Sequence, residues 1–238
     1  MNDETDTITI DDREIPFKPG QTIMEAARAM GMYIEHLCYN PEYQPHGSCK
    51  LCTVKVDGQM QTACTMPAMN GQVVESDTPE MQARRQALTE MIFAEGNHYC
   101  PFCTKSGNCD LQALAYHLNM QKNSFNHRYP VREIDATHPD LILDHDRCIF
   151  CGLCVRASRD RDEKNVFAMA GRGKATRVVV NTDSGLLGDS DISLEDAAAH
   201  VCPVGAIMPK RGAYSTPIGE RYFDEHPIDE VDNASGKL

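Results

Sequence analysis

Apolar and polar residues alternate at the start of the chain. Ile8 and Ile10 between Thr7 and Thr9 predict a strand over Thr7–Ile10, and Ile15–Phe17 predicts a second one across an Asp11-Asp12 turn. Thr22 to Met30 then reads as a helix. Thr22 is a good N-cap, Glu25 three residues later completes a capping box, and Gly31 is placed to end the helix in the left-handed conformation. An irregular loop carrying Pro41, Pro45 and Gly47 follows. Thr53–Val56 and Gln61–Cys64 flank Asp57-Gly58, a strong hairpin signal, and Val73–Glu75 adds one more short strand. This order predicts a small α+β sheet crossed by one helix over residues 1–78.

The period lengthens after Pro79, which suits the first position of a helix. Met81, Leu88, Met91 and Ile92 fall on one face and read as core packing, and Gly96 ends the helix. A further helix is expected from Asp110 to about Leu118, completing a central helical unit over 79–122, while 123–147 reads mostly as connection. A third unit over 138–216 has expected strands near Val166–Ala170 and Arg177–Asn181, and a helix capped by Ser193 running towards His200. The tail, 217–238, is polar and mainly acidic from Glu220 and reads as exposed or loosely ordered.

Composition adds constraints. Hydrophobic residues make up 41% of the chain and charged residues 24%, which fits a folded globular protein, but aromatics are only 6% and Trp is absent. Bound metal is one way to supplement so thin a core. The net charge of −12 disfavours nucleic acid, whose affinity comes from Lys and Arg on phosphates. No apolar run approaches the roughly 20 residues of a membrane span, and Met1 to Asp12 is acidic without a signal segment. A cytoplasmic protein is expected.

Eleven cysteines then require a reason, and an odd number suits a closed disulfide set badly. In a reducing compartment clustered cysteines bind metal or do redox work. They form three groups. Cys38, Cys49, Cys52 and Cys64 could hold a [2Fe–2S] cluster, with two thiolates on each iron, although the spacing also suits tetrahedral zinc. Cys148, Cys151 and Cys154 form a C-x2-C-x2-C clamp, and Cys202, followed by Pro203, supplies a fourth thiolate for a [4Fe–4S] cluster. The middle group, Cys100, Cys103 and Cys109, lacks a fourth cysteine, and His98 stands two residues before it. A neutral imidazole can replace a thiolate on iron. His117 and His127 are more distant alternatives.

The order of these signatures resembles a known family. The stretches HLCYNPEYQPHGSCKLCTVKV, FAEGNHYCPFCTKSGNCDLQALAY, DRCIFCGLCVR, CPVGAI and PIGERY look like the N-terminal part of the large iron–sulfur subunit of respiratory complex I and of iron-only hydrogenases. They are most similar to the small diaphorase subunit of NAD-coupled [NiFe] hydrogenases. The resemblance implies a ubiquitin-like ferredoxin fold for the first domain, a [4Fe–4S] cluster on one His and three Cys in the middle, and a ferredoxin-like [4Fe–4S] domain after it. Complex I homologues have H-x3-C before the middle set, which would put the His at Gly96; the hydrogenase type shares the shorter H-x-C seen here.

The function implied is a wire. Electrons would pass between a [NiFe] hydrogenase module, with its small and large subunits, and an FMN- and NAD-binding diaphorase subunit. No G-x-G-x-x-G, P-loop, flavin or nickel motif is present, so no catalytic residue is expected in this chain. The rivals are the iron–sulfur subunit of a complex I-like NADH dehydrogenase or of an NAD-dependent formate dehydrogenase. Those chains continue into a large further domain, and the stop at Leu238 favours the hydrogenase type. A zinc-stabilised scaffold or an iron–sulfur sensor are rivals of another class.

Overall fold

The computed structural model describes residues 6–211 and 214–231. The first five residues and the tail from 232 lie outside them. β1 (Thr7–Ile10) and β2 (Arg13–Pro16) form a hairpin whose two turn residues, Asp11 and Asp12, have φ of +46° and +64°. α1 (Ile23–Ala29) starts at Thr22 with both halves of the capping box formed, and Gly31 has φ +69° just beyond it. β3 (Thr53–Val56), β4 (Gln59–Thr62) and β5 (Val73–Glu75) complete a five-stranded sheet in the order β2-β1-β5-β3-β4. Only β1 and β5 run parallel.

The strand expected over Gln61–Cys64 starts two residues earlier and ends before Cys64. The Asp57-Gly58 turn has only two residues, both at positive φ, so pairing resumes at once with Val56 opposite Gln59. Ile8, Ile10, Ile15, Val54, Val56 and Val74 point to one face of the sheet, where Ile23, Met24, Ala26 and Ala27 of α1 cover them.

α2 (Pro79–Glu95) has Thr78 as N-cap and Pro79 at its first turn, and Gly96 ends it. Its buried face differs from the expected one. Met81 is fully buried and Leu88 and Ile92 pack on the core, but Met91 is 46% exposed and Arg85, Thr89 and Glu90 are buried instead. α3 (Asp110–His117) lies against α2.

The stretch read as connection contains β6 (Ile134–Asp135) and β7 (Leu141–Asp144). α4 (Leu153–Asp160), β8 (Phe167–Ala170), β9 (Arg177–Val180), α5 (Ala197–His200) and β10 (Ile207–Pro209) follow. β10-β7-β6 and β8-β9 form two small antiparallel sheets.

The expected Ser193 cap is not formed, because only the last turn of that helix is helical and its N-cap is Asp196. The Asp162 carboxylate, two residues beyond α4, accepts the Ala197 and Ala198 N–H groups at 2.8 and 2.9 Å.

The polar tail is partly folded as α6 (Tyr222–Glu225) and α7 (Ile228–Val231). Ile228 is buried in the core that α3 lines, and Phe223 N–H donates to Gly107 O at 2.8 Å.

Candidate metal centres

The first cysteine set sits where the loop after α1 meets β3. Cys38, Cys52 and Cys64 are fully buried and Cys49 is half-buried. The turn before Cys49 is made by Gly47, at φ +65°. The thiols fall into two close pairs, Cys38 with Cys49 and Cys52 with Cys64, each sharing a hydrogen bond. Accepting from Cys49 pulls the Cys38 thiol down to about 4, and donating pushes Cys49 up. Cys64 is likewise lowered by Cys52, which is raised. Backbone N–H groups also face the sulfurs: Cys49 N–H donates to Cys38 Sγ at 3.5 Å, and those of Ser48 and Gly47 face Cys38 and Cys64.

Two pairs side by side match what two irons require, with two thiolates on each.

The C-x2-C-x2-C set is arranged differently. Cys148 follows a 3-10 turn, Cys154 lies in the first turn of α4, and Cys202 follows α5. With Cys151 they line a pocket walled by Leu143, Ile149 and Val204. Burial pushes Cys148 up to about 11 and raises Cys151 and Cys154, each further raised by the neighbouring thiols. The N–H groups of Phe150, Leu153 and Val155 face Cys148, Cys151 and Cys154. Here thiols stand singly around a space, as the corners of a cubane would require.

The middle set follows the same plan. His98, Cys100, Cys103 and Cys109 line a second pocket. His98 Nε2 is buried and has no hydrogen-bond partner, a costly state for a polar atom unless a ligand meets it. Burial, then the charges of Arg132 and Arg147, push the imidazole down to about 4, so it is neutral and able to bind iron. The alternatives are engaged elsewhere. His127 Nε2 meets Gly96 O at 3.0 Å and its Nδ1 accepts from Tyr129 N–H, while His117 lies 3.6 Å from both Glu35 and Asp229. A Cβ on Gly96 would fall 2.5 Å from His98 Nε2.

Among the described residues, no three His, Cys, Asp or Glu side chains converge on a point suited to one metal ion. A zinc ion would draw four sulfurs to within about 2.3 Å of a single centre. Two pairs in one set, and single thiols spread around cavities in the others, fit groups with several irons and sulfides between the ligands.

The three cages adjoin one another. Cys38, Cys151 and Cys154 share one apolar core, and Val204 lines both cavities. Asp110 N–H, next to Cys109, donates to Pro203 O, next to Cys202, at 2.8 Å. Buried cations brace them. Arg85 bonds Leu51 O at 3.2 Å and Ser76 O at 2.9 Å, and pairs with Glu35 at 2.9 Å. Arg156 bonds the carbonyls of Cys38 and Cys151. Neither arginine was visible in the cysteine spacing; Arg85 falls four residues after Met81, on the face that helical periodicity marks as buried.

Comparison with known proteins follows the same order along the chain. Residues 4–79 match the family described as a 2Fe-2S iron-sulfur cluster binding domain, 85–124 the iron-sulfur binding region of NADH-ubiquinone oxidoreductase G, and 141–208 a 4Fe-4S single cluster domain. The gamma subunit of the NAD-reducing hydrogenase HoxS of Cupriavidus necator is 39% identical over 218 residues, 91% of this chain and 92% of that one. The chain belongs to the family of NAD-reducing hydrogenase gamma subunits.

A chain in a crystal structure of NAD+-reducing [NiFe]-hydrogenase in the H2-reduced state bears out the fold of this gamma-type subunit. The TM-score is 0.93 at 49% identity, covering 96% of this chain and 98% of that one. The mitochondrial 78 kDa subunit of NADH-ubiquinone oxidoreductase from Candida albicans is 29% identical over 87% of this chain. The alpha subunit of the NADPH-Fe(3+) oxidoreductase of Geobacter sulfurreducens is 30% identical over 86% of it. The gamma-type chain spans only 29% and 24% of those two proteins. No helix among its described residues is long and apolar enough to cross a membrane.

Proposed function

We propose that this chain is a cytoplasmic electron relay between the [NiFe] hydrogenase subunits and the FMN- and NAD-binding diaphorase subunit of an NAD-reducing hydrogenase. In this reading Cys38, Cys49, Cys52 and Cys64 hold a [2Fe–2S] cluster within residues 1–78. His98, Cys100, Cys103 and Cys109 hold a [4Fe–4S] cluster within 79–122. Cys148, Cys151, Cys154 and Cys202 hold another within 138–216. Bound clusters supply one-electron redox chemistry with little bond rearrangement.

The chain's own residues keep three such cages adjacent in one body. The thiolates ligate, the facing backbone N–H groups stabilise charge on sulfur, and the apolar walls keep water out. The observation that carries the reading is the pairing of thiols in the first set against their single placement around cavities in the others. The likeness to the gamma subunit across almost the full length of both chains favours the hydrogenase over the complex I alternative.

Anaerobic purification of the tagged chain at low salt, with mass spectrometry of co-eluting proteins, tests the partners. Recovery of a nickel-containing pair and a flavoprotein is expected. Recovery of quinone-linked or formate dehydrogenase subunits would overturn the assignment.

A further inference from the structure

Arg156, the fourth residue of α4, is 6% exposed. All its hydrogen bonds go to backbone carbonyls: Nη2 donates to Cys38 O at 2.6 Å and Cys151 O at 3.3 Å, Nη1 to Gln44 O at 2.8 Å, and Nε to Gly152 O at 3.3 Å. Among the described residues no carboxylate lies within ion-pair distance of it. Asp160 feels its charge, but that carboxylate is bound to Arg159. A buried guanidinium without a carboxylate is expensive, because carbonyl dipoles replace only part of its hydration. One nitrogen of this cation touches the backbone of a cage residue from each of two sets. Cys38 belongs to the first set and Cys151 to the third.

We infer that Arg156 is a positioning residue that sets the spacing of the first and third cages and holds the reduction potentials of both up together. The inference rests on the cluster assignments above. Reduction adds a negative charge to either cage, and a fixed cation beside both favours the reduced state of each. The same nitrogen ties the loop at Cys38 to the Cys151 turn, so one side chain bridges the gap between the cages. The middle cage has no bond to Arg156 and serves as an internal reference.

The test is an EPR-monitored redox titration of the intact, cluster-loaded protein and of Arg156→Gln, Arg156→Met and Arg156→Lys. Signals from a [2Fe–2S] and two [4Fe–4S] clusters in the unaltered protein establish the assignments first, so their absence would defeat that reading rather than this one. In the neutral variants both the [2Fe–2S] and the four-cysteine cluster should become harder to reduce by about tenfold, 59 mV for one electron. The His-bearing cluster should move less than about threefold. Lys keeps the charge but cannot fork between carbonyls, and should restore both potentials to within about threefold. Unchanged potentials in the neutral variants, or an equal shift of all three clusters, would overturn the inference. If neither neutral variant loads its clusters, Arg156 holds the fold rather than the potentials, and the inference falls as well.

Discussion

Gly96 leaves the space that the His98 ring occupies: a Cβ on residue 96 would stand 2.5 Å from Nε2 and 2.9 Å from Cδ2 of that imidazole. Gly96 has φ −110°, open to any residue, so space alone dictates glycine here. A side chain at residue 96 would force the imidazole of residue 98 to shift.

Gly96→Ala should push the His98 ring out of line at a cost of about 1–3 kcal/mol, as overpacking does. The expected result is loss or a changed line shape of one [4Fe–4S] EPR signal, with the other two clusters intact. His98→Ala should alter the same signal. Normal spectra from Gly96→Ala would show that the ring is not confined as described.

The Arg85–Glu35 pair should matter to stability far more than surface pairs do. Both side chains are buried, 2.9 Å apart, and Arg85 also holds the carbonyl of Leu51 between two first-set cysteines. Arg85→Ala leaves the buried Glu35 carboxylate with only the longer His117 and Gln82 contacts and should cost about 3 kcal/mol. Anaerobic chemical denaturation measures it, with Glu80→Gln as a control at the exposed Lys55 contact. Comparable losses in the two variants would contradict the burial argument.

A pH dependence follows from the same network. Contact with Glu35 raises the His117 pKa above 6.5, with Asp229 adding to the rise and burial and Arg85 opposing it. Burial pushes the Glu35 carboxyl up, but His117 and Arg85 outweigh it and leave it below 4.5. The contribution of His117 is complete below its unfolded value and lost as pH rises through the folded one. That of Glu35 is present above its unfolded value and lost as pH falls through the folded one. Both act together between 4.5 and 6.5. Denaturation midpoints should fall between about pH 6 and 8 by less in His117→Gln than in the unaltered protein. Equal falls would remove His117 from the account.

Features set by near neighbours were legible in the sequence. The Thr22–Glu25 capping box and the Asp57-Gly58 turn formed as read, because each depends on residues within one turn. The cysteine groups were legible for a similar reason: C-x2-C spacing serves one local site. His98 showed itself only as the shortfall in a set of three cysteines.

What needed tertiary contact did not show. Met91 belongs to the apolar pattern of α2 yet faces outward, while Arg85 and Glu90 take buried places because their partners, Glu35 and the Ser124 backbone, come from distant segments. Ser193 looked like a cap, but Asp162, more than thirty residues away, supplies the capping oxygens. Arg156 carries no pattern at all, since two of its four partners are carbonyls of chain 112 and 118 residues earlier.

Iron, acid-labile sulfide and zinc, measured on anaerobically purified protein, test the central claim most directly. About ten irons and ten sulfides per chain are predicted, as two, four and four require. Stoichiometric zinc with no sulfide would contradict the account.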